Sequence, residues 1–145
     1  VEPNRHHGST LFKWLFDLTD RHDDWDEMLS LHQTEFENSP HNAMIILPCL
    51  YDELPEDIRR YEREWAEEIV SAWGELDGGN PIPEVKPLGY SGEQRRYFVD
   101  RWGDLYHRYH IITSEIQNNS PRTPPPLQQR LNEVAIEISV ERLLR

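Results

Sequence analysis

The stretch SGEQRRYFVDRWGDLYHRYHIITSEIQ, residues 91–117, constrains the possible folds more than any other. Phe98, Trp102, Leu105, Tyr109, Ile112 and Ile116 recur at alternating spacings of four and three, which stacks them along one side of a helix of about 3.6 residues per turn. Ser91 and Gln94 offer a capping box at its start, and NNSP stops it. The expected element is a single long helix over 92–117 whose apolar stripe must be covered. Either the other helices of the domain cover it, or a second copy does, in which case Phe98, Trp102, Leu105 and Tyr109 form a homodimer seam.

Helical spacing recurs elsewhere. Leu11, Trp14, Leu15 and Leu18 follow an N-cap at Ser9 or Thr10. A second helix is expected over roughly Asp23 to Phe36, with acids in its first turn and Trp25, Met28, Leu29, His32 and Phe36 facing inward. The run AMIILPCLY, residues 43–51, fits a helix or a strand by period alone, and Pro48 interrupts either. With no evident strand partner, it reads as a buried turn of helix leading into an extended segment. A long helix over about 55–74 places Ile58, Tyr61, Trp65, Ala66, Ile69, Ala72 and Trp73 on one face and Arg60, Arg63, Glu64 and Glu67 on the other. Residues 77–92, DGGNPIPEVKPLGYSG, form a Pro/Gly-rich loop that Val85, Leu88 and Tyr90 pin to the helices.

A Pro-rich connector, 118–126, joins the last segment, 127–145. There Leu127, Leu131, Val134 and Ile138 fit a helix, whereas Val134, Ile136, Ile138 and Val140 alternate as a strand would. The helix formers on either side, QQRLNE and ERLLR, decide for helix. The expected fold is therefore all-α: an irregular bundle of about five helices, with a flexible lead-in over 1–8 and a single helical domain over 9–145. Starting at Val1 and ending on ERLLR without a helix stop, the chain reads as a piece of something longer.

Composition limits the functional classes. Hydrophobic residues make up 37% of the chain and mean hydropathy is −0.80, so a compact core must lean on the five Trp. No apolar run approaches the roughly 20 residues of a membrane span, and a single Cys49 forms no internal disulfide. A soluble, cytoplasmic protein is expected. The net charge of −12 is concentrated in two blocks. Residues 17–37 hold eight acids against one Arg, and residues 52–68 hold eight acids against three Arg. That surplus excludes a general nucleic-acid binder, which needs a basic footprint. It suits a basic partner or a nucleic-acid-mimicking surface, with Asp23, Asp24, Asp26 and Glu27 as interaction residues beside Trp25 and Tyr90.

The motifs carry little chemistry. Asp100, Asp104, His107 and His110 resemble a ligand set, but helical geometry turns Asp104 and His107 away from the apolar stripe and leaves His110 on its flank. Asp104, His107 and His110 are the metal candidates, and no metal or cofactor is expected. His22-Asp23 and Glu64-x-x-Glu67 are fragments of hydrolase motifs without their partners. Gly-rich phosphate loops, nucleophile elbows and zinc spacings are absent from the sequence, so no catalytic residue is assigned. His32, on an apolar face, is expected to be a core histidine.

Residues 47–64, LPCLYDELPEDIRRYERE, with His22-x-x-Trp25 upstream, resemble the segment of ryanodine-receptor-type repeats in which an apolar run meets ELPE and a charged helix. The resemblance implies a small helical module serving assembly or ligand contacts. The function expected is a non-enzymatic protein–protein interaction or assembly module with an acidic surface for a basic partner. Two alternatives stand beside it. One is a small-molecule or metal-dependent enzyme with its site under the 77–92 loop, using Tyr90, His107 or His110; the other is an acidic nucleic-acid-mimicking inhibitor.

Overall fold

The computed structural model describes residues 26–34, 39–48, 51–87 and 110–145. They form a mixed α/β structure, which overturns the all-α bundle. Strands β1 (Glu27–Thr34), β2 (Ala43–Leu47), β3 (Lys86–Pro87) and β4 (His110–Gln117) make one sheet in the order β1-β4-β2-β3. Among the described residues two helices accompany it, α1 (Glu56–Glu75) and α2 (Pro125–Leu143), with a 3-10 turn at Tyr51–Glu53 ahead of α1.

The largest correction falls on the long helix expected over 92–117. Residues 110–117 are strand β4, the centre of the sheet, and the stripe residues Phe98, Trp102, Leu105 and Tyr109 lie outside the described residues. The sequence HIITSEIQ is rich in β-branched side chains, which lose rotamer freedom in a helix and pack well on a pleated surface. Ile112 and Ile116 are both fully buried, and so is Ser114 between them, as the two-residue period of a strand requires. The helix expected over Asp23 to Phe36 is corrected likewise, because residues 27–34 are β1 and pair in parallel with β4 from Glu27↔His110 to Thr34↔Gln117.

β2 is the apolar run that lacked a visible partner. It pairs antiparallel with β4, Ala43↔Ile116 through Ile46↔Thr113, and in parallel with β3 inside the expected 77–92 loop. Ala43, Ile45, Leu47, Ile112, Ser114 and Ile116 share one face of the sheet and are all buried. Asn42, itself buried, ties the segment after α1 to this sheet. Its amide side chain donates to the Gly78 carbonyl (2.8 Å) and accepts from the Asn80 amide (2.9 Å). Gly78 turns with φ +79°, a conformation that favours glycine. A Cβ on Gly79 would lie 1.9 Å from the Trp73 carbonyl oxygen.

α1 and α2 pack antiparallel against each other and against the sheet. α2 starts after Pro124, with Pro125 and Pro126 in its first turn, where their missing N–H groups leave fewer orphaned donors. Two indoles join the helices. Trp65 and Trp73 of α1 are fully buried; the Trp65 indole donates to Ser139 Oγ (2.9 Å), and the Trp73 indole donates to the Leu131 carbonyl (2.7 Å). The Ser139 hydroxyl in turn donates to the Ala135 carbonyl at 2.7 Å.

Because Trp65 is sealed from water, Ser139→Ala strands its indole N–H and is expected to cost about 1–3 kcal/mol. In chemical denaturation the same change made in a Trp65→Phe background, where no indole remains to be stranded, should cost clearly less. Equal losses in the two backgrounds would show that this hydrogen bond contributes nothing.

Candidate functional site

Pro48 determines where the central ladder ends, and with it the chemistry of the surrounding residues. The His110 and Asn118 amides point to β1, donating to the Asp26 and Thr34 carbonyls, while the Gln117 amide points to β2 and donates to the Asn42 carbonyl. Continuing the β2–β4 register beyond Ile46↔Thr113 sets Pro48 opposite Ile111. The Pro48 carbonyl, which would be the acceptor there, accepts from the Tyr51 amide instead (3.0 Å). The Ile111 amide therefore finds its acceptor elsewhere: Glu62 Oε1, reaching in from α1 at 2.9 Å.

Glu62 is fully buried, and its second oxygen has no hydrogen-bond partner among the described residues. Burial pushes its carboxyl up to about 8, against the smaller opposing pull of the Ile111 amide. At neutral pH the protein thus holds an uncharged carboxyl beneath its sheet. The residue was legible after all, because Ile58, Glu62, Trp65 and Ile69 recur at spacings of 4, 3 and 4, so Glu62 lies on the apolar stripe of α1.

One residue before Glu62 the helix presents Tyr61 to a mixed polar cluster. The Tyr61 hydroxyl donates to Glu27 Oε1 at the start of β1. The Tyr61 ring stacks on His110 at the start of β4, centroids 4.0 Å apart and planes 24° from parallel. The Arg142 guanidinium, from the end of α2, lies over the same ring at 4.5 Å. Arg142 also pairs with Glu68 of α1 at 3.0 Å, and Arg145 reaches the same oxygen at 3.1 Å. Four elements, β1, β4, α1 and α2, converge here.

The protonation states follow from burial and neighbours. Burial raises Glu27, against the lowering effect of the Tyr61 hydroxyl and Arg142. Burial and the Glu27 hydrogen bond raise Tyr61. Burial lowers His110, although Asp57 and Asp26 favour its charged form. For Glu68 burial acts upward, but Arg142 and Arg145 outweigh it and bring the carboxyl below its ordinary value. Arg142 is raised in turn, its burial outweighed by Glu68 and Tyr61. The contacts of Tyr61 with Glu27, His110 and Arg142 link structural elements to one another.

The residues singled out from sequence disperse. Asp26 is exposed at the entry to β1, whereas Glu27 is half-buried and bonded to Tyr61. Asp23, Asp24, Trp25, Tyr90, Asp104 and His107 lie outside the described residues. His110 belongs to a strand and not to a helix flank, and it is half-buried against Tyr61. His32 is half-buried on β1 and shares a 3.0 Å contact with Glu115 of β4, its register partner. Among the described residues no group of three or more His, Cys, Asp or Glu side chains is arranged to hold a metal ion, and no helix is long and apolar enough to cross a membrane.

The acidic block over 52–68 sorts itself by depth. Asp52, Glu53, Glu56, Asp57, Glu64 and Glu67 are exposed, while Arg60 is the exposed base of the same stretch. Arg63 is half-buried, 5.4 Å above the Tyr51 ring, and donates to the Tyr51 hydroxyl at 3.2 Å and the Val85 carbonyl at 3.4 Å. No protein-family model and no curated protein matches the sequence.

The pH dependence of stability isolates Glu62. Its carboxyl takes up a proton near the ordinary 4.5 when unfolded and near 8 when folded. Below 4.5 both states are protonated and its contribution is fully present. Between 4.5 and 8 only the folded state keeps the proton, so stability falls as pH rises, by at most about 1.4 kcal/mol per pH unit. Glu62→Gln retains an acceptor for the Ile111 amide and cannot ionise. Denaturation curves from pH 5 to 8.5 should show the variant gaining on the native protein as pH rises; parallel curves would place Glu62 in contact with water.

Proposed function

We propose that this chain is a non-enzymatic protein–protein interaction or assembly module that offers an acidic surface to a basic partner. The observation that carries this reading is the arrangement around α1 and the turn before it. Six exposed acids, Asp52, Glu53, Glu56, Asp57, Glu64 and Glu67, face solvent with Arg60 as the exposed base. Of the remaining charges of the block, Glu62 is buried and neutral at pH 7, Arg63 lies on Tyr51, Glu68 is paired with Arg142 and Arg145, and Arg59 is half-buried. The outward field of this stretch therefore stays negative once the inward charges are set aside. Such a field speeds encounter with a positive partner, suppresses like-charged ones, and weakens with salt.

Glu64 and Glu67 are exposed on the middle of α1, away from the buried Trp65 and Ile69, so Glu64→Lys with Glu67→Lys tests the surface without touching the core. A fluorescent oligoarginine peptide should bind the native protein at low salt, and binding should fall by about tenfold or more in the double variant. Binding that ignores both the charge reversal and added salt would remove the acidic surface from consideration.

A further inference from the structure

α2 is apolar on two sides. Leu131, Val134, Ala135 and Ile138 face the core. On the opposite side Ile136 is 45% exposed, Val140 50%, Leu143 53% and Leu144 82%. At 100° per residue Ile136, Val140 and Leu143 fall within about 60° of one another, so they form one ridge. Single apolar residues on a surface need no explanation, but an aligned set on one helix marks a contact surface. Glu133, Glu137 and Glu141 recur every four residues along one border of this ridge. Arg130 bridges Glu133 and Glu137, but all three side chains are about half exposed, and exposed pairs of this kind exchange readily for others.

We infer that the outer face of α2 is a docking site for a cationic amphipathic helix. Its apolar residues would cover Ile136, Val140 and Leu143, and its Arg or Lys side chains would meet Glu133, Glu137 and Glu141. This names a mode of contact for the interaction reading above and rests on it. Charge complementarity selects the occupant. A second copy of this chain would bring another net −12 toward an acid-bordered ridge, whereas a basic helix neutralises the border while covering the ridge. Recognition through anchors at helical spacing is an established way of burying such a surface.

The test uses two synthetic peptides of about 20 residues, long enough for several helical turns. They share composition and positive charge. One places Leu at i, i+3, i+4 and i+7 with Arg on both flanks; the other scrambles the Leu positions. The ordered peptide should bind at least about tenfold more tightly than the scrambled one. Ile136→Gln with Val140→Gln should erase that difference, and Glu137→Lys with Glu141→Lys should weaken both peptides. Gln is a good helix former, and circular dichroism checks the fold; should the Gln pair fail to fold, the Lys pair and the scrambled peptide decide alone. Equal binding of both peptides overturns the docking site and leaves the acidic-surface reading standing. If neither peptide binds, both fall. Sedimentation showing a dimer of the native protein that the Gln pair abolishes would assign the ridge to a second copy and overturn the inference.

Discussion

The contact between Glu62 and the Ile111 amide supports the rest of the structure, because it gives that amide the acceptor that Pro48 does not. A buried backbone N–H without an acceptor costs about as much as a lost hydrogen bond. Here the ladder cannot supply one, since the residue that would stand opposite is a proline whose carbonyl serves the following turn. A side chain from α1 does so instead. The helix is thereby anchored to the strand by a polar contact inside an apolar layer. Apolar packing alone tolerates sliding; a buried acceptor that must meet one particular amide does not.

Around this anchor the polar residues divide by depth. Glu62 is sealed and uncharged at neutral pH, the Glu27–Tyr61–His110–Arg142 cluster is half-buried, and the acids of the outer face of α1 stand in water. The cluster lies where the first residues of β1 and β4 meet the early turns of α1 and the last turns of α2. It joins the ends of these elements while the indoles of Trp65 and Trp73 join the middles of the helices. Neutral forms dominate toward the interior and ion pairs toward the surface, as the cost of desolvating charge requires.

How much of this was legible depended on period. The α1 stripe read true because Ala66, Ile69 and Trp73 are separated by three and then four residues, and a spacing of three would put Ala66 and Ile69 on opposite faces of a strand. β4 was concealed by Ile112 and Ile116: residues four apart share a face in a helix and in a strand alike. Ser114, midway between them and equally buried, distinguishes the two, but a serine carries no hydrophobic signal. A helical reading of β4 leaves β2 without a partner and β1 without a reason to be extended, so one ambiguity propagates through the sheet. The alternating Val134, Ile136, Ile138 and Val140 concealed something different. Those residues are the inner and outer faces of one helix, and the pattern that imitated a strand records two surfaces. Of the candidate site, the outward acids of α1 were visible from spacing; the Tyr61–His110 stack was not, because it joins residues 49 positions apart.

The order β1-β4-β2-β3 also has a consequence in time. β1 and β2 are neighbours in the chain but not in the sheet; the strand that belongs between them begins at His110. During synthesis, most of the chain must leave the ribosome before either strand can form its ladder with β4, and the entropy of closing such long loops is spent first. Until then the apolar run Ala43–Leu47 lacks its longer partner. The acids on both sides of it, from Asp17 to Glu37 and from Asp52 to Glu68, hold like charge against like charge in neighbouring nascent chains. The acids that face outward from α1 in the folded protein thus belong to a charge that, in the nascent chain, shields the last-assembled strands from premature association.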